Sequence, residues 1–274
     1  MADEVKFISF GFPDFGNEVF KKFEPFFQSS AGFQDALNSL VNRAYENAET
    51  WQRVVLNLGM LVGVSGMEVV TLVGNGFGQG AMKIVRGLIE NAINAEFLRI
   101  EPSRCADYLD WHWIEQHKLL NWAKERNPPL FGRIPDEVKI AIADNFNKVR
   151  GRFEYTNPDG KKRLREIWCE LNLADRATKT GFEEIYRRVM PHANQILHGT
   201  IGGLSRHFDL EQDEDRIAIP PSTEWCGEAL IATHESVLKT IETLSKAFSV
   251  DPEPSLGVLV SDFHSVWKAL HQAQ

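Results

Sequence analysis

Ala81–Ile100 is the stretch that most constrains what this chain can fold into. Ile84, Val85, Leu88, Ile89, Ala92, Ile93, Ala95 and Leu98 recur there at three- and four-residue spacing and cover most of a helical circumference. A helix that is apolar nearly all round must be enclosed by other elements. We therefore place it at the centre of the fold, ended by Pro102. Around it, helical periodicity is expected from Phe33 to about Val62, in Ser103–Arg126 and in Asp136–Tyr155. It is expected again in Leu164–Ala177, Phe182–Leu197, Thr223–Phe248 and Ser255–Gln274. Asn127-Pro-Pro and Asn157-Pro-Asp-Gly punctuate these runs as breaker and turn. No series of alternating runs announces a sheet, so the expected fold is all-α, a multi-helix bundle.

The expected organisation has four parts. A phenylalanine-rich N-terminal arm covers 1–32, and a helical bundle core carrying the site covers 33–208. An acidic loop occupies 209–222, and C-terminal helices, 223–274, pack on the same bundle. With 274 residues, 43% hydrophobic and 25% charged, the chain has an ordinary globular composition. A net charge of −8 argues against a molecule attractive to phosphate over its whole surface, and leaves room only for a local basic face. Cys105, Cys169 and Cys226 lack metal-ligand spacing and are an odd number, so we expect buried thiols in a reducing, cytoplasmic setting. Val54–Val73 is apolar and contains Gly59-x-x-x-Gly63, but Asn57, Ser65 and Glu68 lie inside it. Close packing of two soluble helices explains those glycines better than a membrane span.

Chemistry-bearing residues cluster in three places. Arg86, Glu90 and Asn94 fall at i, i+4 and i+8 on the central helix and so share a face. Arg187, Arg188, His192, Asn194 and His198 are concentrated where a helix ends at Gly199, with Asn194 and His198 four apart. Arginine can neutralise charge on a phosphodiester and histidine can exchange a proton near neutral pH, whereas a helix C-terminus also favours cations without any catalytic role. A basic stretch, Lys148 to Arg165, includes Lys161, Lys162 and Arg163. Two further patterns carry less. Gly76-Phe-Gly78-Gln-Gly80-Ala81 follows the β-prone run Val69–Val73 and precedes Glu96 by twenty residues, yet no second strand follows, so an interhelical connection is preferred to a nucleotide-binding turn. Asp107, Asp110, His112, Glu115 and His117 could supply metal ligands, but Glu115-x-His117 cannot share a helical face and no second Glu/His set appears at ferritin-like spacing, so no metal or cofactor is expected.

Two blocks carry a resemblance. They are Ile84-Val-Arg86 through Glu90 and Asn94 to Leu98, and Trp168, Glu170-Leu-Asn-Leu-Ala174, Tyr186 and His198-Gly199. In this order they resemble a mainly bacterial all-helical family of unknown function, marked by an Arg-x-x-x-Glu helix and a terminal His-Gly. More distantly the chain resembles HEPN domains, helical bundles that include metal-independent ribonucleases of toxin, defence and CRISPR systems and that commonly act as dimers. Their Arg, four to six residues, His pattern is matched by Arg187 and His192. No arginine stands at that spacing before His198, and Pro191 falls within the motif.

The resemblance implies a metal-independent, HEPN-like ribonuclease. His198 or His192 would be the general acid/base, Arg187 and Arg86 the phosphate clamps, and Glu90 the orienting carboxylate. Asn194, Asn94, Arg188, Lys161, Lys162 and Arg163 would contact RNA. The alternative is a non-catalytic interaction or scaffold protein in which the same groups form a satisfied polar network. RNA, a protein partner such as an antitoxin, and a second copy of the chain are the partners considered; a membrane is not.

Overall fold

Helices carry almost all regular structure in the computed structural model, which describes residues 13–44, 48–200 and 221–251 together with Gly257, Val258, Val260, Ser261 and Ser265. The chain is an all-α protein with one small hairpin. Contacts divide it into two compact units: Ile100–Arg176, and a larger unit that combines Met1–Arg99 with Ala177–Gln274. The sequence shows no composition shift at either junction.

In the larger unit α1 spans Pro13–Ala44, α2 Thr50–Gly74 and α3 Gly78–Ile100, the last residue of which begins the smaller unit. After the smaller unit come α8, Glu183–Leu197, and α9, Cys226–Phe248. α1, α2 and α9 pack against one another in pairs. α3 is enclosed as its composition requires: Val85, Leu88, Ile89, Ala92, Ile93, Ala95 and Leu98 are buried. Of the early phenylalanines, Phe7, Phe10 and Phe12 lie outside the described residues, while Phe23, Phe26 and Phe33 bury themselves on α1. α1 breaks at Phe23 (φ −117°, ψ 18°), two residues before Pro25, whose ring and missing N–H disturb the preceding turn. α8, by contrast, continues through Pro191 to Leu197.

Glycines mark where helices approach closely. A Cβ on Gly59 would lie 2.9 Å from Leu244, and one on Gly63 would lie 2.6 Å from Leu37, so the Gly-x-x-x-Gly spacing seats α2 against α9 and α1. Length and hydropathy alone would let α2 cross a membrane, and 44% of its most apolar window is nevertheless buried against the rest of the protein. Val69–Val73, β-prone by composition, is helical: packing decides over the propensity of branched side chains. The Gly76–Ala81 motif spans the interhelical turn and the first residues of α3. Gly76 has φ +75°, its carbonyl accepts the Ser222 N–H at 3.0 Å, and a Cβ on Gly78 would sit 2.0 Å from the Glu224 carbonyl oxygen. The chain's own backbone thus fills the space in front of those glycines.

The smaller unit contains α4, Cys105–Arg126; α5, Pro128–Arg133; α6, Asp136–Val149; and the antiparallel strands β1, Glu154–Thr156, and β2, Lys162–Leu164. α7, Leu173–Lys179, crosses its boundary. α4 packs on α6, and Trp111 meets Phe153 edge-on with ring centroids 5.2 Å apart. The hairpin corrects two expectations: helix α6 stops at Val149, and Leu164 ends a strand, the next helix starting at Leu173. Asn157-Pro-Asp-Gly is the turn, with Gly160 at φ +76°. The acidic loop, save Pro221 and Ser222, and the last helix, save five scattered residues, lie outside the described residues.

Candidate functional site

α3 and α8 meet through polar side chains. The Arg86 Nε donates to Asn194 Oδ1 at 2.8 Å, and its Nη1 reaches Glu90 Oε2 at 3.5 Å. Arg86 and Glu90 keep about a third of their side-chain surface exposed, at 33% and 38%. This leaves a guanidinium held in orientation at two nitrogens yet still open to solvent. Asn94, one turn beyond Glu90, is buried instead.

α8 carries three of the candidates along one line. At about 100° per residue, Arg187, Asn194 and His198 stand at i, i+7 and i+11 and lie within roughly 20° of a common direction. Arg187 and His192, five apart, point about 140° away from each other. The helix therefore pairs Arg187 with Asn194 and His198 rather than with His192. His198 is exposed at the C-terminal cap of α8, where its N–H donates to the Asn194 carbonyl at 2.9 Å. Its imidazole is one helical turn from the Asn194 amide that holds Arg86. Arg187 is 76% exposed, is paired with Glu183 at 2.7 Å, and borders an open depression of about 560 Å³ with Thr178, Gly181, Glu183 and Glu184.

The remaining candidates go elsewhere. Arg188 turns toward α9, forming a close ion pair with Glu235 and a looser one, 3.7 Å, with Glu184. Burial pushes the Glu235 carboxyl above its ordinary value, and the Arg188 charge opposes that rise. His192, on the same side as Arg188, sets its ring 5.2 Å from Trp225. Lys161, Lys162 and Arg163 lie on or beside β2 in the smaller unit; all three are exposed, and Lys162 approaches Glu154 at 3.7 Å. Asp107 and Asp110 both bind Arg152, and among the described residues no three metal-ligating side chains gather. All three cysteines are free and buried, with burial raising the Cys226 thiol to about 11.

Two further polar groups take partners that the sequence does not show. Glu96 accepts from Nε and Nη2 of Arg99, each at 2.7 Å, and from the Thr243 hydroxyl of α9 at 2.9 Å. Its only signal in sequence was the Glu96-x-x-Arg99 spacing, which suits a helical ion pair. His234, on α9, is sealed between Phe26 and Phe33, with Nε2 2.7 Å from the Ser30 hydroxyl. Burial pulls its pKa from 6.5 to about 3, so it is neutral in the folded protein. Nothing in its sequence neighbourhood distinguishes it from an exposed histidine.

A protein-family model described as a family of unknown function, DUF5677, matches residues 64–216. That is more than half of the chain, and it contains α3, α8 and every member of the polar contact between them. The chain belongs to this family. No curated protein and no solved structure matches it. The matched stretch of the DUF5677 chain also runs through the whole smaller unit, and it takes in the Arg86-x-x-x-Glu90 and His198-Gly199 motifs.

Proposed function

We propose that this DUF5677 protein acts on RNA phosphodiesters, without a metal, at the polar notch between α3 and α8. One observation carries the reading: the Arg86–Asn194 bond joins residues 108 positions apart and thereby sets a partly open guanidinium beside the α8 line that bears Arg187 and His198. Arg86 would hold a phosphate oxygen, its direction fixed at Nε by Asn194 and at Nη1 by Glu90. His198 would exchange the proton of the attacking or leaving hydroxyl, a role suited to imidazole near neutral pH. Arg187 can join from the same face because its pair with Glu183 is exposed; opening such a pair costs no more than about 1 kcal/mol. Arg188, closed against Glu235, stays outside this set. The likeness to HEPN ribonucleases supports the reading in chemistry, although the cofacial arginine and histidine are Arg187 and His198, eleven residues apart, rather than the pair that matches the motif.

A non-catalytic interaction module is the second reading. It is favoured by Glu183 and Glu184 on the depression beside Arg187, which make that wall less attractive to phosphate. Incubation with single-stranded and structured RNA in EDTA separates the two. The ribonuclease reading expects cleavage that His198→Ala reduces by roughly a hundredfold or more and Arg187→Ala reduces less, both variants being surface changes that leave folding intact. Intact RNA at stoichiometric protein, or cleavage unaffected by His198→Ala, overturns it and leaves the interaction module.

A further inference from the structure

α2 has a second face that stays exposed among the described residues. Met60, Leu61, Val64 and Met67 are 45%, 50%, 54% and 57% exposed, although the same helix buries Val55, Leu56, Leu58, Val62, Val69 and Val73. With Arg53 as origin, Met60, Val64, Met67 and Thr71 stand at i+7, i+11, i+14 and i+18, within roughly 40° of one line, and Leu61 and Glu68 border it. Single exposed apolar side chains are ordinary; three in one stripe with a fourth, Leu61, at its edge mark a contact surface.

The charges on α2 say what fits there. The helix has only two, Arg53 near its start and Glu68 past its middle, both exposed and about 22 Å apart along the axis. A helix that lies on anionic lipid carries several basic residues along its polar flank, and α2 carries one. A second α2 running antiparallel, related by a two-fold axis between Met60 and Leu61, meets both needs. It sets Arg53 opposite the partner's Glu68 at each end, Asn57 opposite the partner's Val64, and Met60 opposite the partner's Leu61. The stripe is self-complementary in shape and in charge, as a two-fold interface requires.

We infer that this chain forms a homodimer through the exposed face of α2, packed antiparallel on the α2 of a second copy. Such a dimer does not depend on the proposed function. Among the described residues, Glu68 makes no hydrogen bond or ion pair and Arg53 uses only its Nε, donated to the Ala48 carbonyl at 3.0 Å, so both heads are open to a partner.

Sedimentation velocity on the full chain tests this. The wild type should sediment as a dimer at micromolar concentration. Val64→Asp, at an exposed site, should give a monomer with an unchanged circular-dichroism spectrum. Arg53→Glu and Glu68→Arg alone should each weaken self-association about tenfold, since each sets like charges together at both ends. Mixing the two variants in equal amounts should restore dimers, because the acidic pair on one chain then faces the basic pair on the other at both ends. A wild type that stays monomeric at 100 µM, whether or not it binds vesicles of neutral or anionic lipid, overturns the inference. So does a dimer that survives Val64→Asp, or a mixture that stays as weak as its components.

Discussion

Two polar contacts that α3 makes with its neighbours differ in kind. Toward α9, Glu96 binds Arg99 through two 2.7 Å contacts and also accepts from Thr243, with side-chain exposures of 12% and 24% for the pair. Toward α8, Arg86 and Glu90 meet once, at 3.5 Å, in a pair left one third open. The first contact uses its donors and acceptors on the protein itself. The second retains capacity for something else. Both are Arg/Glu pairs on one helix, so the difference lies in surroundings: the carboxylate against α9 is closed in, and its removal strands a largely buried guanidinium, whereas water reaches the pair beside α8.

Unequal responses to mutation should sharpen this contrast. In urea unfolding, Glu96→Ala should cost about 3 kcal/mol and Glu90→Ala less than about 1 kcal/mol; equal losses would break the comparison. Gly78→Ala, which drives a methyl into the Glu224 and Cys226 backbone at the start of α9, should cost about 2–3 kcal/mol.

The closed side should also impose a pH dependence. His234 binds no proton in the folded state until about pH 3 but does so in the unfolded chain below its ordinary 6.5. The unfolded state thus holds more protons between these values. Stability contributed by the neutral ring is complete above pH 6.5 and is lost as pH falls, by about 1.4 kcal/mol per unit, or about 2 kcal/mol between pH 6.5 and 5. His234→Phe, which leaves the Ser30 hydroxyl its bond to the Phe26 carbonyl, should flatten that slope in equilibrium unfolding; an unchanged slope would place its origin elsewhere. The smallest effect belongs to the open side. A Cβ on Gly87, next to Arg86, meets no atom within 4 Å, so Gly87→Ala should raise stability by about 0.5–1 kcal/mol through helix propensity alone.

Much of this was legible in the chain, unevenly. The apolar circumference of α3 placed it at the core, and the four-residue ladders predicted that Arg86 would share a face with Glu90 and Asn194 with His198. That α3 and α8 meet, through the Arg86–Asn194 bond, is a matter of tertiary structure that neither ladder encodes. Asn94 illustrates the limit of a ladder: on a helix enclosed on most sides, one step along the polar row passes from the opening into the core. The hairpin was missed because three-residue strands are too short for alternation to show. The partners of Arg188 and Glu96 were not legible, since each takes a residue of α9 whose register against α8 and α3 no local pattern encodes.

The order of the units along the polypeptide has a consequence for biosynthesis. α1 and α2 leave the ribosome first, but the helix that covers their inner faces, α9, follows only after all of Ile100–Arg176 has been translated. The smaller unit, continuous in the chain, can fold while the larger one is still half made. Until α9 emerges, the apolar flanks of α1 and α2 are open to chaperones and to neighbouring nascent chains, and truncation anywhere before Cys226 strands them in that condition.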